Sequence, residues 1–214
     1  RNFFLLVDRV LRIHDRFVRR LADAAGKLRL GDGRKAGTDV GPLIHEESRQ
    51  KVERYVQIGR DQGAELVSGG KRPAGAKYAH GFFYQPPIFA GVRAGSRLEQ
   101  EEIFGPVLSV VRFNTFDEAV RINNGVKYGL SSSLYTQDVN LSYRAMAELD
   151  NGITYVNAPT IGAEAHMPFG GVKQTGNGHR EGGWEVYEFY SETKVCYVDY
   201  SGRLQRAQID NYDS

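Results

Sequence analysis

Residues 98–111 read LEQEEIFGPVLSVV, and this stretch decides the fold that we predict for the chain. It begins with three acidic residues that we expect to be exposed: Glu99, Glu101 and Glu102. The stretch ends with an apolar, β-branched run that is typical of a buried strand. In the turn between them, Pro106 restricts its own φ and biases Gly105 away from helix. The turn therefore holds the side chains that precede it in fixed directions.

Glu102 and Phe104 are the side chains that this turn positions. A carboxylate can accept hydrogen bonds from the two hydroxyls of a ribose, while a neighbouring aromatic ring packs against the sugar or the base. An acidic loop before an ordinary strand has the same composition, and short motifs also match by chance. On these residues alone, both interpretations stay open.

Two ordered motifs resemble those of NAD(P)-dependent aldehyde dehydrogenases. EEIFGPVLSVVRF (101–113) is similar to the segment in which the second Glu and the Phe contact the nicotinamide-side ribose. NAPTIGAEAHMPFGGVKQTGNGHR (157–180) is similar to the family's anchor loop and PFGG box. The resemblance covers nearly the whole chain, but only the C-terminal part of the family's length. It implies that Glu102 and Phe104 bind NAD, with NADP as the alternative.

The same resemblance implies a substrate site. The loop at 158–164 would close over the substrate tail, and Phe169 would line the aldehyde tunnel. PTIGAE (159–164) is similar to the loop of the α-aminoadipic semialdehyde, or antiquitin-like, branch. In that branch, Gly162 and Ala163 would receive the carboxylate or amino end of a semialdehyde. His166 and Met167 depart from the branch, so a generic aldehyde specificity stays open.

Catalytic residues are not expected within this chain. The family's chemistry needs a cysteine thiolate, an oxyanion hole and a glutamate base. Arg1 resembles the last residue of the family's Q-x-C-x-x-x-x-R motif, so the nucleophile and the base would precede residue 1. We therefore expect a truncated portion that is inactive alone. Its single cysteine, Cys196, lies in an alternating run and is interpreted as a packing residue.

The pattern of elements predicts an α/β fold with a mainly parallel sheet and helical crossovers. Strands are expected at 82–89, 107–113, 131–136 and 153–157, and helices at 14–28, 46–62, 116–124, 138–149 and 184–190. In such sheets, functional groups gather beyond the carboxyl ends of the strands. The glycine-rich run 157–183 leaves a strand in that way, although it fails the G-x-G-x-x-G test for a pyrophosphate loop.

We assign residues 1–192 to the truncated catalytic-domain portion and residues 193–214 to a C-terminal arm. TKVCYVDY (193–200) alternates like a strand and needs a sheet edge to pair with. In the family, this segment extends the sheet of a neighbouring subunit, which implies a homo-oligomer. An ordinary last strand in the chain's own sheet is the alternative.

Composition argues against several other classes. A chain of 214 residues with 41% hydrophobic residues has an ordinary globular composition. Its net charge of +2 gives no indication of binding to nucleic acid. Its apolar runs are too short for a membrane span, and a single cysteine fits a reducing, cytoplasmic compartment. The histidines show no metal-ligand spacing.

Two functions from different classes remain. One is a portion of an NAD(P)-dependent enzyme that oxidises an aldehyde, in particular an amino-acid-derived semialdehyde, to a carboxylic acid. The missing N-terminal part would then supply the cofactor domain and the nucleophile. The other is a non-catalytic, dehydrogenase-like domain that acts through binding or assembly.

Overall fold

The structure is a computed structural model that describes residues 5–7, 10–162 and 164–203. Within these residues, strands and helices alternate, and the α/β class predicted from the sequence is confirmed. The strands are β1 (Leu5–Val7), β2 (Glu65–Ser68), β3 (Ile88–Val92), β4 (Leu108–Val111), β5 (Tyr128–Gly129), β6 (Ser131–Tyr135), β7 (Ile153–Val156) and β8 (Val172–Lys173). The α-helices are α1 (Val10–Gly26), α2 (Glu46–Asp61), α3 (Arg97–Gln100), α4 (Phe116–Asn124), α5 (Val139–Glu148) and α6 (Glu185–Tyr190).

The strands form separate sheets. One has the order β1-β6-β7 with parallel pairing throughout. A second has the order β2-β3-β4, in which β3 and β4 are parallel and β2 is antiparallel. The strand predicted at 107–113 therefore pairs with β3 and not with the strands predicted at 131–136 and 153–157. Its neighbour β3 begins only after Pro86 and Pro87, because proline has no N–H for the ladder.

Two hydrophobic clusters form the core. The first joins α2, β3 and α3 through Val52, Tyr55, Phe89 and Leu98, among others. The second joins α4, β6 and α5. Helical spacing predicts that α2 has one apolar stripe, and the structure confirms that its members are buried: Val52, Tyr55, Val56 and Gly59.

The ends of α4 follow the sequence rules closely. Thr115, a favoured N-cap residue type, directly precedes the predicted helix, and its hydroxyl accepts a hydrogen bond from the Glu118 backbone N–H at 3.2 Å, so Thr115 is the N-cap. Asp117 and Glu118 lie in the first turn, where the positive end of the helix dipole favours them. The cap therefore fixes where the chain enters α4.

The C-terminal segment differs from the prediction. Residues 191–200 form no strand and are exposed, with Tyr197 93% exposed. A strand needs a partner edge, and within the described residues this segment pairs with no other strand. Cys196 is likewise exposed, so it does not pack within the described part of the chain. The predicted arm beyond residue 203 lies outside the described residues.

Candidate functional site

The turn at 101–106 is held against α2. Lys51 Nζ donates a hydrogen bond to the Glu102 carbonyl oxygen at 2.9 Å. Gly105 lies so close to the helix that an added Cβ would be 2.5 Å from Val52 Cγ2. Phe104 has a φ of 55°, in the left-handed region that non-glycine residues rarely adopt. The turn thus combines a close contact to α2 with a strained backbone. Such a strained conformation persists only where the surrounding structure holds it in place.

Glu99 is buried, and the prediction that it is exposed is wrong. It is only 1% exposed, on the one-turn helix α3. Its carboxylate accepts hydrogen bonds from the Gly95 N–H at 3.0 Å and from Gln100 Nε2 at 2.6 Å. A buried carboxylate needs such donors, because desolvation would otherwise make its charge very unfavourable. Both donors lie within four residues of Glu99 in the sequence, whereas its burial is seen only in the structure.

Glu101 is bonded to two neighbours. Arg97 Nε donates to its carboxylate at 2.9 Å, and the hydroxyl of Tyr55 donates to it at 2.7 Å. The Arg97 hydrogen bond, followed by that from Tyr55, lowers the pKa of Glu101. Burial, followed by the hydrogen bond to Glu101, raises the pKa of Tyr55. Both directions favour an ionised Glu101 that accepts a hydrogen bond from a protonated Tyr55.

Three of the predicted site residues line one cavity of about 370 Å³: Glu102, Gly162 and Phe169. They come from two separate stretches of the chain, the motif at 101–113 and the motif at 157–180. The polar part of the lining consists of Asn123, Ser131, Asn151, Thr160, Gln174 and Thr175, and the aromatic part consists of Tyr128 and Tyr155 with Phe169. The cavity therefore offers uncharged hydrogen-bonding groups, aromatic faces and one carboxylate.

The loop that contains Gly162 is anchored at its start. Asn157, with a φ of 55°, accepts a hydrogen bond from the Thr136 N–H and donates one to the Thr136 carbonyl, both at 2.9 Å. The hydroxyl of Tyr155 donates to the Gly162 carbonyl at 2.9 Å. The loop leaves β7 at its carboxyl end. The cavity, however, contacts Ser131 and Ile153, the first residues of β6 and β7, so it does not lie only beyond the carboxyl ends of the strands, where the sequence predicts the functional groups.

The PFGG box brings two stretches of backbone together. Phe169 and Glu181 form an antiparallel bridge, and the Glu181 N–H donates to the Phe169 carbonyl at 2.7 Å. An added Cβ on Gly152 would lie 1.8 Å from the Gly170 carbonyl oxygen. Only glycine permits so close an approach. Phe169, half-buried, is thereby fixed at the wall of the cavity.

One predicted residue, Phe104, does not join this cavity. Phe104 is 72% exposed and is absent from the cavity lining, although Glu102 is part of it. Ala163 lies outside the described residues. The structure therefore brings together one predicted cofactor residue and two predicted substrate residues.

The sequence analysis missed Asn123. It is 5% exposed, lines the cavity and donates a hydrogen bond from Nδ2 to Asn151 Oδ1 at 2.9 Å. A signal was present, because Ala119, Val120 and Asn123 form one helical stripe and a polar residue in such a stripe needs a partner. Asn151, in contrast, follows α5 in a loop with no periodic signal.

A second groove, of about 480 Å³, has few polar groups in its lining. Its lining is mainly apolar and comes from β4, α4 and β6, with none of the predicted site residues. Within the described ranges, no group of three or more His, Cys, Asp or Glu side chains could hold a metal ion. Among the helices of this part of the chain, none is long and apolar enough to cross a bilayer.

Comparisons with known proteins show the family to which the chain belongs. Residues 5–196 match the aldehyde dehydrogenase family. Because the match covers most of the sequence, the chain belongs to this family. It is 42% identical over 187 residues to betaine aldehyde dehydrogenase of Bacillus subtilis, a match that covers 86% of this chain and 37% of the relative. It is 33% identical over 186 residues to α-ketoglutaric semialdehyde dehydrogenase of the same organism, covering 87% of this chain and 38% of that protein.

A solved structure gives the same result. The chain superimposes on betaine aldehyde dehydrogenase of Staphylococcus aureus in complex with NAD+, with a TM-score of 0.83 and 30% identity. The match covers 88% of this chain and 43% of that structure. The chain thus spans less than half the length of the relatives that it matches.

Proposed function

We propose that the protein containing this chain oxidises an aldehyde to a carboxylic acid and uses NAD as the hydride acceptor. One observation carries the proposal: Glu102, from one motif, and Gly162 and Phe169, from the other, line one cavity. The Staphylococcus aureus relative that is described in complex with NAD+ supports the choice of cofactor. NADP stays the alternative.

The residues of this chain would bind and orient the reactants. The exposed Glu102 carboxylate, an acceptor beside the cavity, fits the hydroxyls of a ribose. Bound NAD supplies the hydride acceptor. Phe169 provides an apolar wall that excludes water, and the backbone around Gly162 provides polar groups for the substrate tail. Holding the two reactants in register supplies much of the rate of such an oxidation.

The nucleophilic cysteine and the glutamate base would come from the rest of the protein. Cys196 is exposed in the extended C-terminal segment and is not part of the cavity lining. Because the chain spans less than half of its relatives, a protein of their length has room for these groups and for the remaining cofactor site.

An amino-acid-derived semialdehyde of the antiquitin-like type is the substrate class that we propose. Two features support it: the PTIGAE loop, with Thr160, Ile161 and Gly162 in the lining, and the uncharged hydrogen-bonding groups around the same cavity. Betaine aldehyde is the second candidate. Tyr128, Tyr155 and Phe169 present aromatic faces to the cavity, and such faces bind quaternary ammonium groups.

A comparison of substrates with the complete protein tests both the proposed oxidation and the proposed substrate class. NADH formation is followed with a semialdehyde, with betaine aldehyde and with propanal as the small uncharged control, and NADP replaces NAD in a parallel series. We expect kcat/KM for the semialdehyde to exceed that for propanal at least about tenfold, which corresponds to ~1.4 kcal/mol of differential binding.

The other outcomes are equally informative. A preference for betaine aldehyde would replace the semialdehyde by the second candidate. Equal values for all three substrates would indicate generic specificity. No turnover with any of them would reject the oxidation itself and favour a non-catalytic binding or assembly domain.

We also propose that the protein is a cytoplasmic homo-oligomer. The exposed apolar side chains of Val195, Tyr197 and Val198 support the assembly, because an extended segment with these residues can pair with the sheet edge of a second subunit. The single cysteine of the sequence fits a reducing compartment.

A further inference from the structure

The segment that contains Glu102 contacts one face of α2 at more than one point. Val52 and Tyr55, separated by three positions, lie on the same helix face. Val52 abuts Gly105, where an added Cβ would be 2.5 Å from Val52 Cγ2. Tyr55 contacts Glu101, 46 residues away in the sequence. These contacts lie on both sides of Glu102.

Tyr55 is the more rigid of the two partners of Glu101. It is 9% exposed and belongs to the first hydrophobic cluster, so its ring direction is fixed by packing. Its hydroxyl reaches Glu101 Oε2 at 2.7 Å. Arg97 donates to both Glu101 oxygens at 2.9 and 3.0 Å, but its side chain is more exposed. An exposed ion pair restrains less than a hydrogen bond from a buried ring.

The segment needs such a restraint. Phe104 lies at a φ of 55° with its ring exposed, so its own side chain does little to hold the backbone there. A non-glycine residue persists in this region only when its surroundings determine the conformation. Glu102, between Glu101 and Phe104, is therefore held by the hydrogen bond from Lys51 to its own carbonyl oxygen and by the contacts of its neighbours.

We propose that the hydrogen bond from Tyr55 to Glu101 is a positioning contact that holds the Glu102 carboxylate at the cavity. The inference deepens the proposed function and rests on it. Tyr55 touches neither the cavity nor a reactant, since it is absent from the cavity lining. It acts through the backbone that connects Glu101 to Glu102. Loss of the bond should affect the binding of the cofactor more than the binding of the aldehyde.

The test uses the complete protein with the substitution Tyr55→Phe, which removes one hydroxyl and keeps the ring. We expect the KM for NAD to rise about three- to tenfold, as for the loss of one hydrogen bond, and the KM for the aldehyde to change less than about twofold. The NAD dissociation constant, measured by calorimetry, should rise in parallel. Tyr84→Phe is the matched control, because Tyr84 is buried in the same cluster without contacting Glu101.

Substitutions of Glu101 separate positioning from packing. Glu101→Gln keeps an acceptor for Tyr55 and loses the charge that pairs with Arg97, so its KM for NAD should lie between those of the wild type and Tyr55→Phe. Glu101→Leu removes the acceptor for both Tyr55 and Arg97, so its KM for NAD should be at least that of Tyr55→Phe. The double variant Tyr55→Phe/Glu101→Leu should be no worse than Glu101→Leu alone, because Tyr55→Phe then removes a bond that is already lost.

Several results would overturn the positioning role. One is a lower melting temperature of Tyr55→Phe with an unchanged KM for NAD, which indicates a purely structural bond. Another is an equal rise in KM for NAD in Tyr84→Phe. Additive effects in the double variant would also contradict it. A wild-type protein without NAD-dependent oxidation would reject the proposed function and this inference together, whereas an active wild type with a normal Tyr55→Phe would reject the inference alone.

Discussion

Gly59→Ala sets two known effects against each other within α2. Alanine is a better helix former than glycine by about 1 kcal/mol, which favours the variant. The added Cβ, however, would lie 2.7 Å from Phe89 Cε1, 2.8 Å from Phe89 Cζ and 2.8 Å from Leu98 Cδ1. Carbon atoms pack best at about 3.5–4.0 Å, so these groups must separate by roughly 1 Å. Phe89 and Leu98 are fully or almost fully buried, which leaves them little room.

The packing penalty should exceed the gain in propensity. Overpacking a dense core costs about 1–3 kcal/mol, and a rigid aromatic ring places this site in the upper part of that range. We therefore expect a net destabilisation of about 1–2 kcal/mol, which corresponds to a fall in melting temperature of about 2–8 °C in a domain of this size. Because Leu98 lies on α3, its displacement should also disturb the following segment that contains Glu102.

Thermal unfolding of the complete protein, followed by circular dichroism, measures the effect. Gly26→Ala is the matched control, since Gly26 is also helical and an added Cβ there meets nothing within 4 Å. Its melting temperature should stay equal or rise. A Gly59→Ala protein that melts at or above the wild-type temperature would refute the reasoning, because it would show that the α2 interface has room for a methyl group.

Three further predictions concern function. Glu102→Gln in the complete protein should lower kcat/KM with NAD about 10- to 100-fold, because an amide accepts hydrogen bonds from the ribose hydroxyls less strongly. The melting temperature should not change, because the residue is exposed. Unaltered turnover would remove Glu102 from the site. A polypeptide of residues 1–214 alone should not reduce NAD with propanal above the rate of a heat-killed control. Turnover that disappears on Cys196→Ser would contradict both this prediction and our interpretation of Cys196. Light scattering should show that the complete protein is a dimer or a larger oligomer, and deletion of residues 193–214 should yield monomer or aggregate. A monomeric intact protein, or an oligomer that survives the deletion, would exclude a role of these residues in assembly.

The sequence by itself determined the elements whose signals are local. The α2 stripe follows from helical spacing, and the N-cap at Thr115 follows from side-chain chemistry within one turn. Strand β6 begins at the predicted residue and ends one residue before the predicted end. Glu102, Gly162 and Phe169 were found because they lie in motifs, in which residue type and spacing carry the information.

Only the tertiary structure decided which of these residues meet. The burial of Glu99, the outward direction of Phe104 and the separation of β4 from β6 each depend on contacts between distant segments. Tyr55 and Glu101 are 46 residues apart, and neither residue predicts the other. Short-range spacing determines the direction of a side chain relative to its own helix or strand. The surroundings of that side chain depend on how the helices and strands pack, which local periodicity does not specify.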